Sequence, residues 1–264
     1  MLSRLRRGLL TSVAAMGGFS PLSLFTASEP GFWFDPSDIS TLFQDAAGTT
    51  PVTAAGQSVG RMLDKSGRGN HATQSTSLSR PTYQVDSNGR GYLLFDGSDD
   101  FLVTPTITPG TDKAQVFAGV RKLSDAASGI VVELSASGSN GSISVFAPLG
   151  AAANYEWRSR GTGSGRATSG NTFVAPITNV LTGIGDIAND VATLRANGTQ
   201  VATSAVDQGT GNYLAYPAYI GRRGDTAYPF NGRIYSLICR FGPNLTADQI
   251  AQTEAWVNAR TGAY

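Results

Sequence analysis

Short apolar runs separated by clusters of Gly, Ser, Asp and Asn make up most of this chain. Such runs, bounded by turn residues, read as β-strands. From Gln115 onward the pattern predicts strands over 116–120, 129–134, 143–146, 155–160, 179–186 and 191–195. Ala196-Asn197-Gly198-Thr199 follows, and Asn-Gly between two such runs is a hairpin signal, with 201–203 as the returning strand. The period then changes from two to that of a helix. Ala247, Ile250, Glu254 and Val257 fall on one helical face, Thr246 stands as N-cap with Gln249 three residues on, and Thr261-Gly262 ends the segment. That capping box contributes about 1 kcal/mol.

Ahead of Gln115 the organising stretch is Arg61 to Leu102. It has two halves of one design: an apolar run, an aspartate, and a glycine-bearing turn. Met62-Leu63 lead into Asp64-Lys65-Ser66-Gly67-Arg68-Gly69-Asn70, and Tyr92-Leu93-Leu94-Phe95 lead into Asp96-Gly97-Ser98-Asp99-Asp100. Asp bonds its own backbone and Gly supplies the positive φ, so each half predicts a hairpin or tight turn. Phe32-Trp33-Phe34 suggests a first strand, and 37–43 a short helical turn.

Composition narrows the class. Glycine is abundant, at 32 residues in 264, which suits many short strands joined by turns and not a helical bundle. A formal net charge of +1, with 15% charged residues, excludes the basic face that nucleic-acid binding needs. One cysteine, Cys239, permits no internal disulfide, and its apolar surroundings mark it as structural. One cysteine and one histidine, His71, cannot build the usual tetrahedral zinc site.

The first residues differ from the rest. Arg4, Arg6 and Arg7 accompany Leu2, Leu5, Leu9, Val13 and Met16 at helical spacing, which predicts a short basic amphipathic helix ended by Gly17-Gly18. A signal peptide is the rival reading. Gly17-Gly18 and Pro21 interrupt the apolar part, and no small-x-small cleavage site follows it closely. A retained anchoring or assembly segment over residues 1–27 is therefore expected, followed by one β-domain over 28–264.

The two turn motifs carry a resemblance. RMLDKSGRGNHATQ followed by GYLLFDGSDDFL resembles the concanavalin A-like (laminin-G-like) jelly-roll domains. The block GFWFDPSDISTLFQDAAGTTPVTAAGQSVGRMLDKS is most similar to copies found in bacteriophage virion and tail-region proteins. Tyr219-Ile220-Gly221, Phe230-Asn231-Gly232-Arg233-Ile234 and Leu245-Thr246-Ala247-Asp248-Gln249-Ile250 match the family's closing strands and helix. The resemblance covers Phe25 to Tyr264. It implies an all-β, two-sheet jelly-roll sandwich with an N-terminal extension and a C-terminal helix. It also implies a non-enzymatic virion protein, a capsid decoration or tail-fibre component, located on the particle. Its expected partners are other virion proteins, reached through the N-terminal segment, and host glycans, and it is expected to form a homo-oligomer. A secreted carbohydrate-binding, lectin-like protein is the alternative.

Chemistry agrees with a non-enzymatic reading. Glycosidases of this fold need paired carboxylates in an E-x-D-x-x-E pattern, and Glu29, Glu133, Glu156 and Glu254 do not supply it. No G-x-S-x-G nucleophile motif is present. Asp64, Asp96, Asp99 and Asp100, with Asn70, are the candidate calcium ligands, because hard cations take loop oxygens. The competing role for these carboxylates is to cap their own turns. No other cofactor is indicated. Tyr155 and Trp157 are the candidate sugar-stacking residues, with a place in the core as the competing role. Gly161 to Gly165 reads as a surface loop, and Arg223-Gly224-Asp225 as a turn.

Overall fold

The computed structural model describes residues 18–264, so the helix expected over Leu2 to Met16 lies outside the described residues. In chain order the strands begin with β1 (Gly31–Phe34), β2 (Leu42–Phe43), β3 (Arg61–Met62), β4 (Ala72–Thr73), β5 (Thr82–Val85) and β6 (Gly91–Asp96). Next come β7 (Leu102–Ile107), β8 (Lys113–Lys122), β9 (Ile130–Leu134), β10 (Ile143–Phe146), β11 (Glu156–Arg160) and β12 (Ser164–Thr168). The last are β13 (Ile177–Asp186), β14 (Val191–Ala196), β15 (Thr199–Ser204), β16 (Tyr216–Ile220) and β17 (Asn231–Phe241), before helix α1 (Ala247–Thr261).

These strands form two antiparallel sheets. The first runs β15-β14-β13-β8-β17-β6-β5, with β1 pairing the far half of β17. The second runs β12-β11-β10-β9-β16-β7-β4-β3-β2. Between them lies one apolar core that includes Phe32, Phe34, Phe95, Val116, Leu134, Trp157, Leu181 and Leu237, all essentially without solvent contact. Burying each such side chain stabilises the fold by about 1.5–3 kcal/mol. The chain is thus an all-β, two-sheet jelly-roll sandwich with one C-terminal helix.

Alternation sorts neighbouring residues to opposite faces. On β1, Phe32 and Phe34 enter the central core, while Trp33 points to the outer face of the first sheet. There it joins Phe117, Val180 and Ile238 beneath α1, whose Val257 seals the cluster. Helix α1 starts at Thr246, whose hydroxyl accepts from Gln249 N while the Gln249 side chain accepts from Thr246 N. It ends at Gly262, which adopts the left-handed conformation with φ +65°. Gly119 on β8 lets the helix approach: a Cβ there would meet Thr261 Oγ1 at 2.0 Å. The cysteine lies in the core, where burial pushes the Cys239 thiol pKa well above its ordinary value.

Of the two alternatives for Asp96 to Asp100, a hairpin or a tight turn, the structure has the tight turn: β6 belongs to the first sheet and β7 to the second, so this turn carries the chain between layers. The Gly161-to-Gly165 loop is shorter than expected, because its second half begins β12 and pairs with β11. Residues ahead of 28 also pack on the first sheet. A 3-10 turn at Pro21–Phe25 buries Leu24 and Phe25 against Trp33, Phe117 and Ile238.

Candidate functional site

Helix α1 covers only part of the outer face of the first sheet. Beyond Thr261-Gly262 the sheet surface opens into a groove of about 490 Å³, walled on the far side by the β5–β6 turn. This volume lies within the range of about 300–1,000 Å³ typical of ligand sites. The floor follows from strand register. Thr178 on β13 pairs with Arg121 on β8, Arg121 with Arg233 on β17, and Arg233 with Leu94 on β6. Residues directly opposite in a sheet share a face, so Thr178, Arg121 and Arg233 form one row across the open surface.

A second layer supports that row. Arg233 lies over the ring of Tyr92, with its guanidinium carbon 4.6 Å from the centroid. Tyr92 in turn packs against Tyr235 at 5.2 Å. Tyr235 stands two residues from Arg233 on β17 and so shares this face, at the point where the register with β8 shifts between Ile234 and Ser236. Burial raises the pKa of the Tyr235 hydroxyl, with Arg233 opposing. Arg121 donates from Nη1 to Thr178 Oγ1 at 2.9 Å. The Nε atoms of Arg121 and Arg233 are buried without a hydrogen-bond partner.

The wall adds one more cation and one anion. Asp86 Oδ1 accepts from Asn88 N at 2.8 Å and Arg90 N at 3.0 Å, which closes the turn. Arg90 stands 3.9 Å from the other Asp86 oxygen and lies against Gly262, where a Cβ would meet its Cζ at 2.5 Å. The groove therefore holds three guanidiniums and one carboxylate, and that carboxylate is already committed to its own turn and to Arg90.

The residues expected from the sequence lie elsewhere. Tyr155 and Trp157 are both fully buried between the sheets, so the sugar-stacking role is corrected to a packing role. Trp157 Nε1 donates to Ile184 O at 3.0 Å, and the Tyr155 hydroxyl donates to Asn179 Oδ1 at 2.7 Å. Asp64 has both oxygens engaged by donors: Trp33 N and Ser66 N on one, Ser66 Oγ and Asn70 N on the other. An oxygen surrounded by N–H and O–H groups is organised for a turn and not for a cation. Its neighbour His71 accepts from Asp64 N through Nδ1.

Asp96, Asp99 and Asp100 share the other turn. Asp96 Oδ1 accepts from Ser98 N, Asp99 Oδ2 from Ser79 Oγ, and Asp100 Oδ2 from Asp96 N. Burial, together with the charges of Asp96 and Asp99, pushes the Asp100 carboxyl up to about 6. The four aspartates thus divide between two turns and do not form one ligand set. Among the described residues no group of three or more His, Cys, Asp or Glu side chains is placed to hold a metal ion.

Two glutamates on the second sheet bear on catalysis. Glu133 is gripped by Arg223 through Nε at 3.0 Å and Nη2 at 3.1 Å, and accepts from Gly138 N. Burial raises its pKa, while Arg223 and these hydrogen bonds oppose the rise. Glu156 is paired with Arg158 Nε and accepts from Thr168 Oγ1. Their cross-strand partners on β10 are Ser144 and Phe146, so the two glutamates stand two strands apart and two residues out of line. That offset is about 10 Å sideways and about 7 Å along the strands, wider than the ~6.5–9.5 Å of an inverting pair. Each carboxylate is clamped by its own arginine.

No local sequence signal joins Arg90, Arg121 and Arg233. They are brought together by pairing between strands that are distant in the chain, and only the polar positions of Arg121 and Arg233 inside apolar runs hint that they face outward.

Comparison with known proteins places the fold. No protein-family model matches the chain, and no curated protein matches it. Among solved structures it is similar to a GH54 α-L-arabinofuranosidase soaked with 4-nitrophenyl α-L-arabinofuranoside, at 14% identity and TM-score 0.60, over 92% of this chain and 66% of that one. It is similar to the botulinum neurotoxin serotype D ligand-binding domain in complex with N-acetylneuraminic acid, at 11% identity and TM-score 0.56, over 74% of this chain and 48% of that one. A botulinum neurotoxin type C structure, described as dependent on two ganglioside molecules for cell entry, matches at 11% identity and TM-score 0.57, over 87% of this chain and 51% of that one. The chain spans about half the length of the two toxin structures. Likenesses at these identities define a shared β-sandwich.

Proposed function

We propose that this chain is a non-enzymatic, glycan-binding β-sandwich carried on a bacteriophage particle, and that the groove beside the end of α1 receives the sugar. The single observation that supports this reading is the groove itself: an open, 490 Å³ surface floored by Arg121, Arg233 and Thr178 on a layer of tyrosines. Planar guanidiniums and hydroxyls are the groups that hydrogen-bond sugar substituents, and fixed orientation lowers the cost of ordering them on binding. Similar sandwiches solved with sugar ligands are consistent with it. The non-enzymatic part is supported by the arginine clamps on Glu133 and Glu156, which leave neither free to exchange a proton with a substrate.

The phage assignment rests on the block from Gly31 to Ser66 and its resemblance to virion proteins. In this reading the N-terminal segment contacts other virion proteins, the chain works as a homo-oligomer, and the groove meets host-surface glycans. The basic, then apolar, stretch from Arg4 to Met16 favours a second reading, a secreted lectin with the same groove.

A glycan array probed with the wild-type chain and with Arg233→Ala tests the binding site. Binding by the wild type that falls about tenfold or more in the variant is the expected result. Equal binding by both moves the site elsewhere. Copurification of the intact chain with particles, at fixed stoichiometry, separates the virion reading from the secreted one.

A further inference from the structure

Arg121 and Arg233 are directly opposite each other on adjacent strands. Like charges in that relation, about 5 Å apart at Cβ, destabilise a sheet. The usual remedy is a carboxylate between them, and none is supplied. The one acid in the groove, Asp86, closes the β5–β6 turn and faces Arg90. What Arg121 has instead is a neutral hydroxyl, Thr178. What Arg233 has is the face of Tyr92, with the neutral hydroxyl of Tyr235 beside it. Both Nε atoms lack a partner altogether.

The contrast with the other arginines is informative. Arg158, Arg195, Arg223 and Arg240 each meet a glutamate at hydrogen-bond distance. Arg158 and Arg166 also face each other across β11 and β12, but there Arg158 is held by Glu156; in the groove neither member of the in-register pair has a carboxylate. From this we infer that the groove is selective for sugars bearing an anionic substituent, a carboxylate or a sulfate, which seats between Arg121 and Arg233 with Arg90 closing from the turn. This rests on the groove being the glycan site. A planar or tetrahedral oxyanion matches the guanidinium fork, and the pair would offer it charge-assisted hydrogen bonds from two sides.

The test uses the full chain and immobilised oligosaccharides in three arms: neutral, carboxylated (terminal uronic or nonulosonic acid) and sulfated. The expected result is binding to an anionic arm that exceeds the neutral arm by about tenfold or more. Arg121→Gln and Arg233→Gln should each abolish that preference, while Arg166→Gln, on the opposite sheet, should retain it. Whichever anionic arm binds more tightly identifies the oxyanion. Unchanged near-ultraviolet circular dichroism shows that the variants are folded. Should a variant fail to fold, methyl esterification of the carboxylated ligand removes the charge from the other side and is expected to abolish the preference. Neutral sugars bound as well as acidic ones, with both arginine variants weakened, would leave the groove as the glycan site and overturn its anion selectivity. Acidic sugars bound equally by wild type and both variants would overturn the site as well.

Discussion

The indole of Trp157 lies flat against Gly183, so close that a Cβ on the glycine would meet Trp157 Cε3 at 2.2 Å and Cδ2 at 2.4 Å. Here β11 of one sheet meets β13 of the other, and the missing side chain on β13 is the space the ring occupies. The ring is also anchored by its Nε1 bond to Ile184 O. Gly183→Ala cannot be absorbed by a side-chain rotation, because the clash is with the rigid ring system. A loss of about 2–3 kcal/mol is expected from such overpacking. Thermal unfolding should show a melting temperature lower by roughly 5–10 °C for a chain of this size. A variant that melts with the wild type would contradict this packing.

Asp64 is the second fixed point. Its carboxylate accepts four hydrogen bonds that tie β1 to the turn at Ser66 and Asn70, and three of the four donors are backbone N–H groups. Asp64→Ala leaves buried donors unsatisfied, each costing about 1–3 kcal/mol. It is expected to destabilise the fold by about 3–5 kcal/mol in urea unfolding. Asp96→Ala loses only two bonds at an exposed turn and should cost about 1 kcal/mol. Asp99→Ala, which releases a single Ser79 hydroxyl, should cost less still. EDTA is expected to leave the wild-type melting curve unchanged; a lower wild-type midpoint in EDTA would restore calcium to these turns.

Much of this architecture is legible along the chain, and the reason is locality. The capping box at Thr246 and Gln249, the Asn197-Gly198 turn and the Gly262 stop depend on residues a few positions apart, and each stands where its sequence places it. Partition between sheets is not local. Asp96-Gly97 looks the same whether the next strand returns beside β6 or crosses to the other layer, and only the pairing of β7 with β16 decides it. Tyr155 and Trp157 carry the same ambiguity: a strand has two faces, and the sequence near them does not say which one is covered. The groove arginines are the extreme case, since residues 90, 121 and 233 meet only through the order β8-β17-β6.

The start of the packed domain can be checked by truncation. Leu24 and Phe25 are buried against Trp33, Phe117 and Ile238, Arg240 Nε donates to Leu24 O at 2.8 Å, and Arg68 Nη2 donates to Phe25 O at 2.5 Å. A chain beginning at Ser28 loses two buried side chains, leaves the Arg68 guanidinium without its acceptor and removes one of the four acceptors of Arg240. A loss of about 3–6 kcal/mol is expected from apolar burial alone. A chain beginning at Gly18 keeps these contacts and should unfold at a higher urea concentration than the chain beginning at Ser28. Equal midpoints for the two truncations would place the boundary at residue 28 after all.

The turn between the sheets predicts a dependence on pH. Asp100 is buried beside Asp96 and Asp99, and its carboxyl is pushed up to about 6 from an ordinary value of 3.8, first by burial and then by those two charges. The folded chain therefore holds this proton more tightly than the unfolded chain. Between the two values the folded state binds more protons, so stability falls as pH rises. The contribution is fully present below about pH 4 and is lost as pH passes 6. Two pH units correspond to at most about 3 kcal/mol, and the turn's access to water reduces it. Asp100→Asn retains an oxygen to accept from Asp96 N and removes the charge. It is expected to raise stability at pH 7 by about 1–2 kcal/mol and to match the wild type at pH 4. Urea unfolding at both pH values measures the difference directly. A variant less stable than wild type at pH 7 would mean that the carboxylate form of Asp100 is the one the turn requires.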